Sequence, residues 1–110
     1  MDQFILALSG EYDVSRQREL RRALAKAYTL QYVVLDLTRV DYVDSTCMCE
    51  FIRMRQFRAT NGLRPACFVV DGKRLGRLFH FLELDEIFMV VNSVEEAFAA
   101  IGQPRLATIA

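Results

Sequence analysis

The segment Tyr32-Val33-Val34-Leu35-Asp36-Leu37 decides the fold class, since it is a nearly continuous apolar run. Such a run is typical of a strand that is covered on both faces. Further along the chain, Asp44-Ser45-Thr46 is a helix-start signal, and residues 40–43 between the two are predicted to form a connector. The centre of the sequence therefore predicts a buried strand that leads into a helix.

The same alternation of short apolar runs and helical patterns continues on both sides of this segment. Strands are predicted over residues 4–8, 32–37, 66–70 and 87–91, and helices over 15–29, 44 to about 60, 73–81 and 93 to about 101. Asp13 or Ser15 can cap the first helix, Asn61-Gly62 is typical of a left-handed helix end, and Ser93-Val94-Glu95-Glu96 is a capping box. The order predicts an α/β domain with about four strands in a mostly parallel sheet and about four helices.

Length and composition predict one domain and exclude several classes of function. The chain has 110 residues, of which 53% are hydrophobic and 25% charged, enough for one packed core over residues 1–102, with 103–110 expected to be a loose tail. The formal net charge of zero gives no attraction to nucleic acid or an anionic membrane. No apolar run approaches the ~20 residues that span a bilayer, and the start of the chain lacks the features of a signal peptide. We therefore expect a cytoplasmic protein with no nucleic-acid partner and no membrane insertion.

Enzyme signatures are missing from the sequence. Cys47, Cys49 and Cys67 are an odd number with C-x-C rather than C-x-x-C spacing, and His80 is the only histidine, so a disulfide framework and a tetrahedral zinc site both lack residues. His80 lies in an amphipathic helical pattern, which disfavours a catalytic triad. Neither a G-x-x-x-x-G-K-S/T loop nor a G-x-G-x-x-G loop is present. We expect no enzymatic activity, no metal and no cofactor; a redox-sensing role for Cys47 or Cys49 is a weaker alternative.

One group of residues does point to chemistry. Asp44-Ser45-Thr46 lies at the start of a helix after a predicted strand, and in a parallel sheet that junction is exposed and commonly functional. A hydroxyl there lies beside free backbone N–H groups and the positive end of the helix dipole, which would stabilise a phosphate dianion. The alternative is that Asp44 or Ser45 only caps the helix.

A second acidic residue is expected close to this group. Asp13 follows the first predicted strand, and the ends of parallel strands meet on one side of a sheet, so Asp13 is placed to approach Asp44 and Ser45. Two carboxylates beside a hydroxyl would repel a phosphate added there or hold a divalent ion that screens it. The alternative is that Asp13 only caps the first helix.

Four motifs resemble the STAS domain family, in particular the bacterial anti-sigma factor antagonists. Residues 8–13 (LSGEYD) are similar to the family's L-x-G-E-L-D turn, and residues 40–46 (VDYVDST) to its V-x-x-[IVM]-D-S-[ST] signature. Residues 74–88 resemble its V-x-x-L-L-x-x-x-G-L-x-x-I-F segment, and residues 93–97 (SVEEA) its S-x-E-E-A helix start. The motifs keep the family's order over residues 4–101, so the resemblance implies a single STAS-like domain.

The resemblance also implies a function and a site. In regulatory members of the family, the serine after the aspartate, here Ser45, is phosphorylated by an anti-sigma factor that is also a serine kinase with a GHKL-type ATPase fold. The unphosphorylated antagonist binds this kinase and frees the sigma factor for transcription, and the phosphorylated form releases it. Thr46 is a weaker candidate acceptor. The partner-binding residues implied by the resemblance are Asp13, Asp44, Ser45, Thr46, Cys47 and Met48.

The sequence departs from the family where the kinase would approach. Cys47-Met48-Cys49 stands where the family usually has Gly-Leu-Gly. This departure suits an alternative partner, the ATPase of a bacterial lipid-transport ABC system, whose STAS subunit needs no phosphorylated serine. Arg53, Arg55 and Arg58 on the same helix are expected on a solvated face, with contact to an acidic partner as the alternative. The family's usual extra N-terminal strand is short or missing, which would leave a sheet edge exposed or paired with another molecule.

Overall fold

A computed structural model describes residues 3–102, whose four strands form one fully parallel sheet in the order β1-β2-β3-β4. The strands are β1 (Gln3–Tyr12), β2 (Tyr32–Val43), β3 (Cys67–Val69) and β4 (Met89–Val91). The predicted α/β class with a parallel sheet is confirmed.

Helices cover both faces of the sheet. They are α1 (Gln17–Ala23), α2 (Ser45–Thr60), α3 (Leu75–Phe81) and α4 (Val94–Ala100), with shorter 3₁₀ turns at Val14–Arg16, Ala25–Tyr28 and Leu84–Glu86. When successive right-handed crossovers each lead to the neighbouring strand in the same direction, the connecting helices lie on the same face of the sheet. Accordingly α1, α2 and α3 share the larger core, and α4 packs on the opposite face against β2 and β3.

The central strands are buried on both faces, as the apolar run predicts. Val33 and Leu35 of β2 face the larger core, whereas Val34 between them faces α4. On the α1–α3 side, Phe68 of β3 lies at the centre of an aromatic cluster, with its ring centroid 5.4 Å from that of Phe51 and 4.6 Å from that of Phe88.

The predicted connector at residues 40–43 is wrong, because these residues continue β2. They pair with the end of β1, which extends through Gly10 to Tyr12 instead of ending at residue 8. Two register shifts accommodate the extra residues of β2, and Gly10 has a positive φ of 85° between them. Val40 and Val43 are buried, which explains why the chain stays extended there. Both strands therefore run on to Asp13 and Asp44.

The predicted continuous helix over residues 15–29 and the solvated position of Arg58 are also wrong. Arg58 is only 1% exposed, and its guanidinium reaches from α2 to the main chain that follows α1. It donates to the carbonyl oxygens of Ala27, Leu30 and Gln31, and also to that of Arg64. The α-helix ends at Ala23 and a 3₁₀ turn follows, and the Arg58 hydrogen bonds hold the chain after this turn.

A second charged contact ties α1 to α2. Glu50 of α2 is 1% exposed, and its carboxylate accepts hydrogen bonds from Arg21 at 3.1 and 3.0 Å and from Gln17 at 2.9 Å. Hydrogen bonds from Arg21, with a smaller contribution from Gln17, hold the pKa of Glu50 below its usual value. No local pattern around position 50 predicts that this carboxylate is buried.

The remaining elements match the predictions within a few residues. Asn61 caps the end of α2, followed by Gly62 with a φ of 69°, and the Ser93 hydroxyl accepts from Glu96 N at the start of α4. Between residues 3 and 102, no helix has the length and apolar character needed to cross a bilayer. The tail predicted at residues 103–110 lies outside the described residues.

Candidate functional site

The candidate site lies where β1 and β2 end side by side. Asp44 N donates to Tyr12 O at 2.9 Å, which joins the residue after β2 to the last residue of β1. The Cys47 Sγ lies 3.2 Å from Asp13 O, in a hydrogen bond that joins the first turn of α2 to the loop after β1. The structure thus brings Asp13 against the start of the helix that carries Ser45.

Asp44 is the N-cap of α2. Its backbone is extended, with φ −80° and ψ 173°, and its Oδ1 accepts from Cys47 N at 2.9 Å. The capping role that the sequence left open is therefore present at Asp44. The cap also fixes the orientation of the first turn and keeps a carboxylate directly beside Ser45.

Asp13 plays the same role for the 3₁₀ turn at Val14–Arg16. Its Oδ1 accepts from both Ser15 N, at 2.9 Å, and the Ser15 hydroxyl. These hydrogen bonds hold the pKa of Asp13 below its usual value, with the Ser15 hydroxyl as the largest cause. Asp13 therefore contributes a fixed negative charge next to α2.

Ser45 is the first residue of α2 and is exposed. Its hydroxyl makes no hydrogen bond to any other part of the chain that the structure describes, and the N–H groups of Ser45 and Thr46 lack intrahelical acceptors, as helix geometry requires. Thr46 is half-buried, which makes it the less accessible of the two hydroxyl groups. Ser45 thus presents an unengaged hydroxyl beside open donors.

Cys47 and Met48, which the resemblance places on the partner surface, have side chains in the larger core. Burial raises the pKa of the Cys47 thiol to about 11, and the negative charges of Asp44 and Asp13 add to the increase. A protonated, buried thiol is a poor nucleophile, which argues against redox sensing by Cys47. Of the Cys-Met-Cys segment, only Cys49 is exposed.

Two exposed apolar residues beside the site were not identified from the sequence. Val14 is 66% exposed directly after Asp13, and Tyr42 is 49% exposed two residues before Asp44. Their exposure depends on the 3₁₀ turn and on the continuation of β2, neither of which was predicted. Exposed aromatic residues such as tyrosine are enriched at protein contact surfaces.

Arg16 is a further residue that the sequence did not single out. Its Nη1 donates to the carbonyl oxygens of Ser9 and Glu11, and its guanidinium lies 4.0 Å from the ring centroid of Tyr12. Arg16 also pairs with Glu19 of α1. These contacts brace the end of β1 and hence the loop that carries Asp13.

The other candidates from the sequence lie apart from this site. His80 is exposed on α3 with its Nδ1 3.0 Å from Asp85 Oδ2, and this contact raises the pKa of His80. Within residues 3–102, His, Cys, Asp and Glu side chains form no group of three or more that could hold a metal ion.

Comparison with known proteins gives the same family as the motifs. The STAS domain family model matches residues 2–97. An anti-sigma factor antagonist from Mycobacterium paratuberculosis has a similar structure, with a TM-score of 0.76 and 20% identity over 93% of this chain and 87% of that one. The unphosphorylated anti-sigma factor antagonist SpoIIAA gives 0.65 and 14%, over 90% and 87% of the two chains. A sulfate transporter family protein from Wolinella succinogenes gives 0.71 and 18%, over 93% and 86%.

Proposed function

Since the chain belongs to the STAS domain family, we propose that it is a phosphorylation-switched binding module that antagonises an anti-sigma factor. The observation that carries this proposal is the exposed, unengaged hydroxyl of Ser45 at the first residue of α2, directly after Asp44. The similarity to two anti-sigma factor antagonists supports the fold on which the proposal rests. The proposed partner is an anti-sigma factor with a GHKL-type serine kinase fold, in the cytoplasm.

The unphosphorylated surface offers both apolar and polar contacts to such a partner. Val14, directly after Asp13, and Tyr42, two residues before Asp44, supply exposed apolar area, and Asp13 and Asp44 are held in place by their capping hydrogen bonds. Residues fixed in this way lose little further freedom on binding. Asp13, Asp44, Ser45 and Thr46 remain the proposed polar contacts, whereas Cys47 and Met48 act by supporting the first turn from below.

Phosphorylation of Ser45 would convert this surface from binding to release. A phosphate adds about −1.5 to −2 charges next to two carboxylates, and a kinase that has just transferred it still holds nucleotide phosphates nearby. Like charges in a desolvated interface repel. The open N–H groups of Ser45 and Thr46 would stabilise the phosphate on the free antagonist, so both effects favour dissociation.

The test is incubation with ATP and a purified anti-sigma factor kinase of the GHKL type, followed by mass spectrometry. We expect a single added phosphate on the wild type and on Thr46→Ala, and none on Ser45→Ala. Thr46→Ala is the matched control because it removes the neighbouring hydroxyl and leaves the Asp44 cap intact. Phosphate on Ser45→Ala, or none on the wild type with an active kinase, would refute Ser45 as the acceptor.

A second candidate is a STAS subunit that binds the ATPase of a lipid-transport ABC system without phosphorylation. The replacement of Gly-Leu-Gly by Cys47-Met48-Cys49 favours it, because this segment alters the first turn that a kinase would approach. This candidate predicts a stable complex with the ABC ATPase that is unaffected by Ser45→Ala. Co-purification with the two classes of ATPase distinguishes the proposals.

A further inference from the structure

A cavity of about 120 Å³ lies between the second half of α2, the loop before β3 and the start of β4. Its walls include Met54, Arg55, Arg58, Ala59, Phe68 and Met89. Ala66 directly precedes β3 and Met89 begins β4, so the cavity is at the amino end of these parallel strands. Ser45 follows the carboxyl end of β2, which places the cavity at the opposite end of the sheet.

The size and walls of the cavity suit a small apolar group. Its lining is aliphatic, aromatic and thioether except for two arginines. An engineered apolar cavity of about 150 Å³ binds benzene, so the present volume fits a single ring or a short alkyl chain. Water is poorly stabilised in such a space because it finds few hydrogen-bonding partners there.

The polar side chains of the lining are both cationic, and no carboxylate belongs to it. The Arg58 donors point to main-chain carbonyls. Arg55 donates from Nε to Ile87 O at 2.7 Å, which fixes its guanidinium at the rim. Its two terminal nitrogens donate to no acceptor among the described residues, so they are open to a ligand. A guanidinium with two open nitrogens binds a carboxylate in a bidentate pair.

We propose that this cavity binds a small monocarboxylate whose apolar body, one ring or a short alkyl chain, fills the space while the carboxylate pairs with Arg55. The ligand's apolar end meets Phe68 and Met54, and its anionic end stays at the half-open rim. The proposal does not depend on the switch at Ser45, because the two sites lie at opposite ends of the sheet.

Hexanoate is a suitable probe, with hexanol as its neutral counterpart. In a ¹H–¹⁵N NMR titration of the full chain, hexanoate should shift the amide signals of residues 54–59, 63–64, 66–68 and 87–89 saturably, with a dissociation constant in the millimolar range. Signals of residues 44–47 should stay unchanged. Hexanol should bind at least tenfold more weakly. Equal affinity for hexanol, or no saturable shifts at the cavity, would overturn the carboxylate assignment.

Substitutions in the cavity wall test separately how the charge of Arg55 and the shape of the cavity contribute to binding. Arg55→Gln should weaken hexanoate binding at least tenfold, and Arg55→Lys should fall between Arg55→Gln and the wild type, because lysine keeps the charge without the bidentate geometry. Arg53→Gln on the same helix outside the cavity should change nothing. Ala59→Leu, at an exposed helical position on the cavity wall, should abolish binding by filling the space with little effect on folding. Unchanged binding in Arg55→Gln, or in a folded Ala59→Leu, would refute the proposal.

Discussion

Replacing Arg58 with Met should destabilise the protein far more than any other arginine replacement on α2. The guanidinium donates to four main-chain carbonyls, those of Ala27, Leu30, Gln31 and Arg64. Methionine has a similar length but no donors, so these buried and part-buried carbonyls would lose their partner.

The magnitude follows from the number of acceptors. An unsatisfied buried group costs ~1–3 kcal/mol, so four carbonyls at the lower limit give about 4 kcal/mol, with water entry keeping the value near that limit. Small domains have ~5–15 kcal/mol in total, and such a loss leaves Arg58→Met close to the unfolding threshold. With a urea m-value of ~1.5 kcal/mol/M, the unfolding midpoint should fall by about 2–3 M.

Urea unfolding followed by far-ultraviolet circular dichroism measures this shift. Arg53→Met is the matched control, since Arg53 lies on the same helix and is exposed, and its midpoint should change by less than ~0.5 M. Arg58→Lys should lie between the two, because a lysine ammonium can satisfy only some of the four carbonyls. A midpoint for Arg58→Met that is indistinguishable from that of Arg53→Met would contradict the structural account of this side chain.

Three further outcomes follow from the contacts at α2. Asp44→Ala removes the helix cap and should lower the free energy of unfolding by about 1 kcal/mol, which corresponds to a drop of ~4–8 °C in Tm. Asp44→Asn keeps a capping oxygen and should have a Tm near that of the wild type, so equal Tm values for the two variants would contradict the capping role. Because the folded-state pKa of Glu50 lies below its usual 4.5, its pairing stabilises the protein fully above the unfolded-state pKa and loses effect as the pH falls through the folded-state value. The excess stability of the wild type over Glu50→Gln, measured by urea unfolding between neutral and acid pH, should therefore shrink on acidification, and a difference independent of pH would argue against an ionised Glu50. Iodoacetamide near pH 8 should label Cys49 in the native protein, and Cys47 and Cys67 only after unfolding, because both thiols are buried with pKa values of about 11; rapid native labelling of Cys47, detected by peptide mass spectrometry, would contradict its burial.

The sheet and its order of elements were predictable because burial on both faces leaves a strong local pattern. The runs at residues 32–37 and 66–70 are apolar at nearly every position, and each forms a central strand. The helix start at Asp44 was likewise predictable, since an N-cap is a property of a few adjacent residues. The same holds for the end of α2 at Asn61-Gly62.

What the sequence could not reveal depends on long-range contacts. Three of the four named acceptors of Arg58 lie about 30 positions away along the chain, so the sequence around position 58 does not distinguish it from the exposed Arg53. Glu50 is similar, because its partners Gln17 and Arg21 belong to another helix. At the candidate site, the extension of β2 through residues 40–43 depends on pairing with β1 across two register shifts, and the exposure of Tyr42 follows from it.

The most direct test of the central claim is the affinity of the anti-sigma factor for this protein with and without phosphate on Ser45, measured by isothermal titration calorimetry. The proposed switch predicts tight binding of the unphosphorylated protein and a loss of about 5–150-fold on phosphorylation, the range of a typical coupling free energy of ~1–3 kcal/mol. Ser45→Asp should show a smaller loss in the same direction with an unchanged Tm. Equal affinities of the phosphorylated and unphosphorylated proteins would contradict the claim that Ser45 controls the interaction.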